Sequence, residues 1–212
     1  MATILELPEQ KVILEGVSWG TYTRLLEEHE CSSGTRFNYD DGALEIMVLS
    51  AEHERLKQSL TTIVVLIAAE MEIDIDAVGS TTFRREDLCK GFEAFASFYI
   101  QNRLRVAGKT RIDLSEDPPP DLAIEIDITS PSLNKFPLYA ALYVPEVWRH
   151  DGTAVTIFRL SDRSYTEVET SDSLPGVTAA RLSELMDLSK QLSSTEWVRL
   201  VRQTAQAIKL NQ

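Results

Sequence analysis

Three carboxylates and a lysine stand close together in this chain: Asp121, Glu125 and Asp127, followed by Lys135. The acids belong to the run PPPDLAIEIDITSPS at 118–132, where a proline-stiffened approach leads into apolar residues alternating with carboxylates. That period of two is the mark of a strand, whose successive side chains point to opposite faces. Asp121, Ala123, Glu125 and Asp127 then share one face, and Leu122, Ile124, Ile126 and Ile128 share the other. Carboxylate oxygens can hold a hard cation such as Mg²⁺, which activates water and offsets charge in phosphodiester hydrolysis. A nearby lysine can orient the nucleophile or stabilise the pentavalent phosphate. Residues two apart on a strand are separated by about 6.6 Å, so Glu125 and Asp127 could share an ion. Asp121 lies about 13 Å from Glu125, too far to chelate the same one. A solvated strand face has the same pattern, and spacing alone leaves both readings open.

Other chemistries find less support. His29, His53 and His150 have no metal-ligand spacing, and neither a phosphate-cradling glycine loop nor a G-x-S-x-G elbow occurs. Cys31 and Cys89 are too few for a disulfide framework or a zinc site, which points to a reducing compartment and a cytoplasmic protein. No stretch reaches the roughly 18 apolar residues of a membrane span, and the opening MATILELPEQK lacks the pattern of a secretory signal. A net charge of -12 argues against an extended nucleic-acid surface. Local basic clusters remain at Arg84-Arg85 and at Arg103, Arg105, Lys109 and Arg111.

The elements that must position these residues follow from periodicity. Ser18 is a candidate N-cap for a helix carrying Trp19, Tyr22, Leu25 and Leu26 on one face. Residues 35–49 read as a hairpin turning at Asp41-Gly42. A helix opens at Ser50 and runs to about Met71, with Leu56, Leu60, Ile63, Val64 and Ile67 facing a core. Strands are expected at 73–83 and 92–101, with a charged turn at 84–87 between them, and residues 102–117 read as a connector or an irregular hairpin. A short helix is expected beyond Pro137, then strands near 144–150, 154–160 and 164–169, and helices near 180–187 and 195–209. This order predicts an α/β (α+β) fold, a mixed sheet flanked by helices with a helical C-terminal tail, in a single domain over 1–212.

The run at 120–132 and the segment Tyr139 to Trp148 (YAALYVPEVW) resemble the "putative restriction endonuclease" family of the PD-(D/E)XK nuclease superfamily, long catalogued as a domain of unknown function. The likeness extends to Gly42–Met47, to the helix beginning Glu52-His53-Glu54, and to Gly79–Asp87, covering about residues 16–160. The resemblance implies a restriction-endonuclease-like core and a divalent-metal site for Mg²⁺ or Mn²⁺. It also admits DNA as a partner and a homodimer as the assembly. On it, Glu125 matches the acid of the (D/E)XK half-motif. Asp127 holds the place where the superfamily pattern has lysine, and Lys135 matches the lysine moved to the following helix. Glu45 and His53 match positions that are often polar in the family.

One position departs from the pattern. Relatives read approximately Gly-x-Glu-Pro-Asp-x-x-Phe-Tyr-Ile where this chain has GFEAFASFYI at 91–100, so Phe95 replaces the first motif acid. A phenyl ring cannot coordinate a hard cation. Glu93, on the same strand face as Phe95, or Asp127 would have to supply the missing carboxylate. Two functions follow as expectations: a metal-dependent endonuclease using Glu125, Asp127 and Lys135, with Glu93 as substitute ligand; or a catalytically degenerate nuclease fold acting as a binding or assembly module.

Overall fold

A computed structural model describes residues 10–29, 34–128 and 133–210. Its described residues build two sheets. The first is antiparallel throughout, in the order β1 (Gln10–Leu14), β3 (Ala43–Val48), β2 (Thr35–Asp40), β6 (Lys90–Phe92) and β5 (Phe83–Arg85). The second is mixed, in the order β11 (Ser164–Val168), β10 (Val155–Ser161), β9 (Glu146–His150), β8 (Leu122–Ile126), β7 (Ala96–Tyr99) and β4 (Asp76–Gly79). Its single parallel pair is β8 with β9, joined through the short helix α4 (Lys135–Ala141). The mixed sheet with flanking helices is therefore present, beside a second sheet that periodicity did not separate from it.

The expected hairpin forms β2 and β3, with Asp41 and Gly42 both at positive φ, as a tight turn between twisted strands requires. Ser18 caps α1 (Trp19–His29) by accepting the Thr21 N–H at 3.2 Å. Ser50 caps α2 (Ala51–Glu70) by accepting the His53 N–H. The expected strand at 73–83 is divided between sheets, β4 in one and β5 in the other. Its partner at 92–101 is shorter, β7 over 96–99, because residues 93–95 leave the first sheet to join the second. Residues 102–117 include a four-residue helix, α3 (Arg103–Val106). Helix α4 begins two residues before Pro137, under the cap of Asn134, and proline is tolerated in a first helical turn, where the missing N–H has no helical partner anyway. Helices α5 (Ala179–Ser189) and α6 (Ser194–Leu210) lie where the spacing put them.

Strand β8 is central and buried along its whole length, so the solvated-edge reading of residues 122–126 fails. Its alternation separates two apolar cores rather than core from water. Leu122, Ile124 and Ile126 face α2 on one side, in a core with Leu60 and Ile63 that α5 and α6 extend through Leu185, Trp197 and Val201. Ala123 meets Leu138 and Tyr139 of α4 on the other. Together the two layers clamp the strand and fix where Glu125 stands.

Candidate active site

Glu125 projects from β8 toward α4. Lys135 Nζ lies 2.8 Å from its Oε2, and the Tyr139 hydroxyl donates to its Oε1. Lys135 and Tyr139 are four apart on α4, so one helical face delivers both donors. Burial raises the Glu125 carboxyl above its usual range, opposed by the Lys135 charge and by the two hydrogen bonds. Burial pushes the Lys135 ammonium down, but the charges of Glu125 and Glu45 outweigh it and hold the group above its ordinary value. Burial, then the Glu125 charge, raises Tyr139.

The remaining expected residues divide into those the fold brings to this pair and those it does not. Glu45, fully buried on β3, stands 3.8 Å from Lys135 Nζ and accepts from Asn38 Nδ2 at 3.0 Å and from the Leu133 N–H at 2.8 Å. His53 stacks on Phe95 at 5.7 Å between centroids with its Nδ1 2.8 Å from the Ser50 hydroxyl. Asp127, half-buried, lines the same 220 Å³ cavity as Glu125, Lys135 and Tyr139. Asp121 does not join them. Its carboxylate accepts from the Ile100 and Asn102 N–H groups, at 2.7 and 2.9 Å, and from Asn102 Nδ2. Glu93 is committed elsewhere too, to the Phe37 N–H at 3.0 Å and to the Thr82 hydroxyl. Tyr139 was the partner that sequence reasoning missed, and its spacing of four from Lys135 was the available signal.

Phe95 completes the arrangement. Its N–H donates to the Ile124 carbonyl at 3.0 Å, which places it against β8, and its ring is fully buried. Lys135 Nζ lies 5.7 Å from the centre of that ring, within cation–π range. A hard divalent cation wants several oxygens around it. Here both oxygens of Glu125 already have donors, the Phe95 ring offers no oxygen, and an ammonium lies between two carboxylates. Among the described residues no three His, Cys, Asp or Glu side chains converge as ligands. This donor set does not fit a resident divalent ion.

Residues 19–190 match the Uma2 family, described as "Putative restriction endonuclease". The chain belongs to that family. Among solved structures, the Uma2 chain is similar to a "putative nuclease belonging to DUF820" from Anabaena variabilis ATCC 29413, at 13% identity and a TM-score of 0.44, over 71% of this chain and 90% of that one. None of the curated proteins matches it. No described helix of this Uma2 member is long and apolar enough to cross a membrane.

A second concavity lies between α1, β2 and the segments 78–84 and 109–112, with a volume of about 1090 Å³. Arg36, Lys57, Arg84, Lys109 and Arg111 line it against Glu27, Glu54 and Glu93. In a chain of net charge -12, its lining is cationic in balance.

Proposed function

We propose that this Uma2 member binds nucleic acid through a restriction-endonuclease-like fold but has lost metal-dependent cleavage. The observation that carries the reading is the buried Phe95 ring, 5.7 Å from Lys135 Nζ, at the position where the resemblance places a metal-holding carboxylate. With a ring there, Lys135 neutralises Glu125 and Glu45 in place of a cation. The cationic groove supports the binding half, because contact with phosphates depends on lysine and arginine. A working endonuclease is the second reading, favoured by one observation: Glu125 and Asp127 share a cavity.

The test is direct. Supercoiled, linear duplex and single-stranded DNA are incubated with the full chain in Mg²⁺ and in Mn²⁺, and binding is followed in parallel at rising salt. The expected result is salt-sensitive binding with every form left intact. Metal-dependent cutting that disappears in Glu125→Ala would overturn the loss of cleavage. Absence of binding at low salt would overturn the nucleic-acid half. Phe95→Asp probes the cause, since a cut seen only in that variant identifies the ring as the block.

A further inference from the structure

Arg149 and Lys11 are the cations of the Glu125 cavity to which no role has yet been given, and Arg149 is the one on the central sheet beside Glu125. It sits on β9 in register with Glu125 of β8, and both side chains line the 220 Å³ cavity at the carboxyl ends of the one parallel strand pair. That is where open α/β sheets place their ligands. Several other arginines meet carboxylates: Arg85 meets Asp87, Arg103 meets Asp74, Arg181 meets Glu184 and Arg202 meets Glu70. Arg149 meets rings instead. Its guanidinium carbon lies 5.5 Å from the centre of Phe136 and 5.0 Å from that of Phe158, two rings packed 4.6 Å apart. Among the described residues no carboxylate is within ion-pair distance of it, and its buried Nε–H has no acceptor.

Stacking on an aromatic platform fixes the plane of a guanidinium while leaving its in-plane N–H groups free, the geometry that grips a phosphate with two parallel hydrogen bonds. A purely structural arginine would be expected to satisfy a buried N–H internally. The cavity also holds Asp127, which would repel a bare anion but accepts from a hydroxyl. An occupant with both groups, a phosphate and a neighbouring hydroxyl, suits this pairing. The volume sets the size, being below the roughly 300–1,000 Å³ of pockets that engulf a drug-sized ligand. It seats a phosphosugar, and anything the sugar carries would lie outside the cavity.

We propose that Arg149 and Asp127 form a phosphate-monoester subsite that takes a phosphosugar, either free or as the phosphorylated end of a nucleic-acid strand. The strand-end form rests on the nucleic-acid reading; the free form does not.

Two measurements on the full chain separate the forms. In the first, ribose 5-phosphate and ribose are titrated while the Arg149 side-chain Nε–H resonance is followed. A saturable shift with the phosphate alone is expected, absent in Arg149→Gln, and no such shift would overturn the subsite. In the second, anisotropy compares one oligonucleotide with a 5′-phosphate and with a 5′-hydroxyl. The phosphorylated strand should bind at least about tenfold tighter, the worth of one hydrogen bond to a charged group. Arg149→Gln should erase that preference, while Arg111→Gln should weaken both strands alike. Equal affinity for the two ends, with both bound, would reject the strand-end form and leave nucleic-acid binding standing. Binding of neither strand, with ribose 5-phosphate still shifting Arg149, would reject nucleic-acid binding and leave the free-phosphosugar form. Wild-type readouts carry each arm, so a variant that fails to fold does not shelter the proposal.

Discussion

Two buried glutamates on neighbouring strands of the mixed sheet are handled in opposite ways. Glu146, at the start of β9, accepts from Trp148 Nε1 and the Ser171 hydroxyl, both at 2.6 Å, and from the Asp172 and Ser173 N–H groups. Glu125, toward the far end of β8, is held by the Lys135 ammonium and the Tyr139 hydroxyl, with no backbone donor, and faces a cavity. Asp121 sits at the same end as Glu146 and is treated like it, with two backbone N–H donors. Donors on the backbone cannot leave without unfolding a loop, whereas the unbranched arm of Lys135 can swing away. Acids at the amino ends of these strands pin loops down, and the acid near the carboxyl end keeps partners that a ligand could displace. The difference in partners, more than the difference in burial, separates scaffold from site.

Removing Lys135 is the strongest way to break this contrast. Lys135→Met would leave Glu125 and Glu45 buried without their cation, and should cost roughly 3–5 kcal/mol at neutral pH in urea unfolding. Glu125→Gln in the same chain should recover much of the loss, since the uncompensated charge is the main penalty. The sign with pH follows from the raised carboxyl of Glu125. A folded-state value above the unfolded one contributes stability that is present at low pH and lost as pH rises through it. The deficit of Lys135→Met should therefore shrink as pH falls from 8 toward 5. A deficit constant with pH would mean that Glu125 is not the group left stranded.

Glu146→Ala sharpens the other side. It strands the Trp148 and Ser171 donors and two loop N–H groups, and should cost about 2–3 kcal/mol, less than the loss of Lys135 because loop donors can turn toward water. Amide exchange across 170–175 should rise with it, and ligand binding at the Glu125 cavity should not change. Weakened phosphosugar binding in Glu146→Ala would show that the two ends of the sheet are coupled after all.

How much of this was legible in the sequence depended on whether the signal was local. The Asp41-Gly42 turn, the Ser50 cap and the apolar stripe of α2 each lie within a few residues of the structure they specify, and each is found where the pattern put it. The division of the expected 73–83 strand between two sheets depends on partners contributed by β6 and β7, which no local period encodes. The alternation of β8 was read correctly as a strand, but spacing left its acidic face open between water and a site, because nothing local shows that α4 returns over it with Tyr139 and Leu138. In the site, Glu125 and Lys135 stood out by type and spacing and were matched to motif positions by resemblance, whereas Tyr139 came from neither source. Arg149 stayed hidden because its neighbours Phe136 and Phe158 come from α4 and β10, converging only in the fold.

The smallest expected effect tests whether backbone donors alone make an acid structural, without burial. Asp151, in the turn after β9, accepts at Oδ1 from the Ala154 and Thr153 N–H groups, both at 2.9 Å, and from the Thr153 hydroxyl at 2.7 Å. The Ala154 N–H, with Thr153 behind it, holds its carboxyl down at about 2. A folded value below the unfolded one contributes stability that is full above the ordinary aspartate range, about 3.9, and lost as pH falls through about 2. The residue is exposed, so solvent screening discounts that contribution. Asp151→Asn keeps an acceptor oxygen and removes the charge. It should cost under about 0.5 kcal/mol at pH 7, with the difference from the wild type vanishing between about pH 4 and pH 2 in parallel urea titrations. A loss as large as that of Glu146→Ala would mean that backbone donors set the role of an acid regardless of burial. A small one leaves burial and backbone donors together as what marks Glu146, and leaves Glu125, buried but held by side chains, as the acid free to exchange its partners.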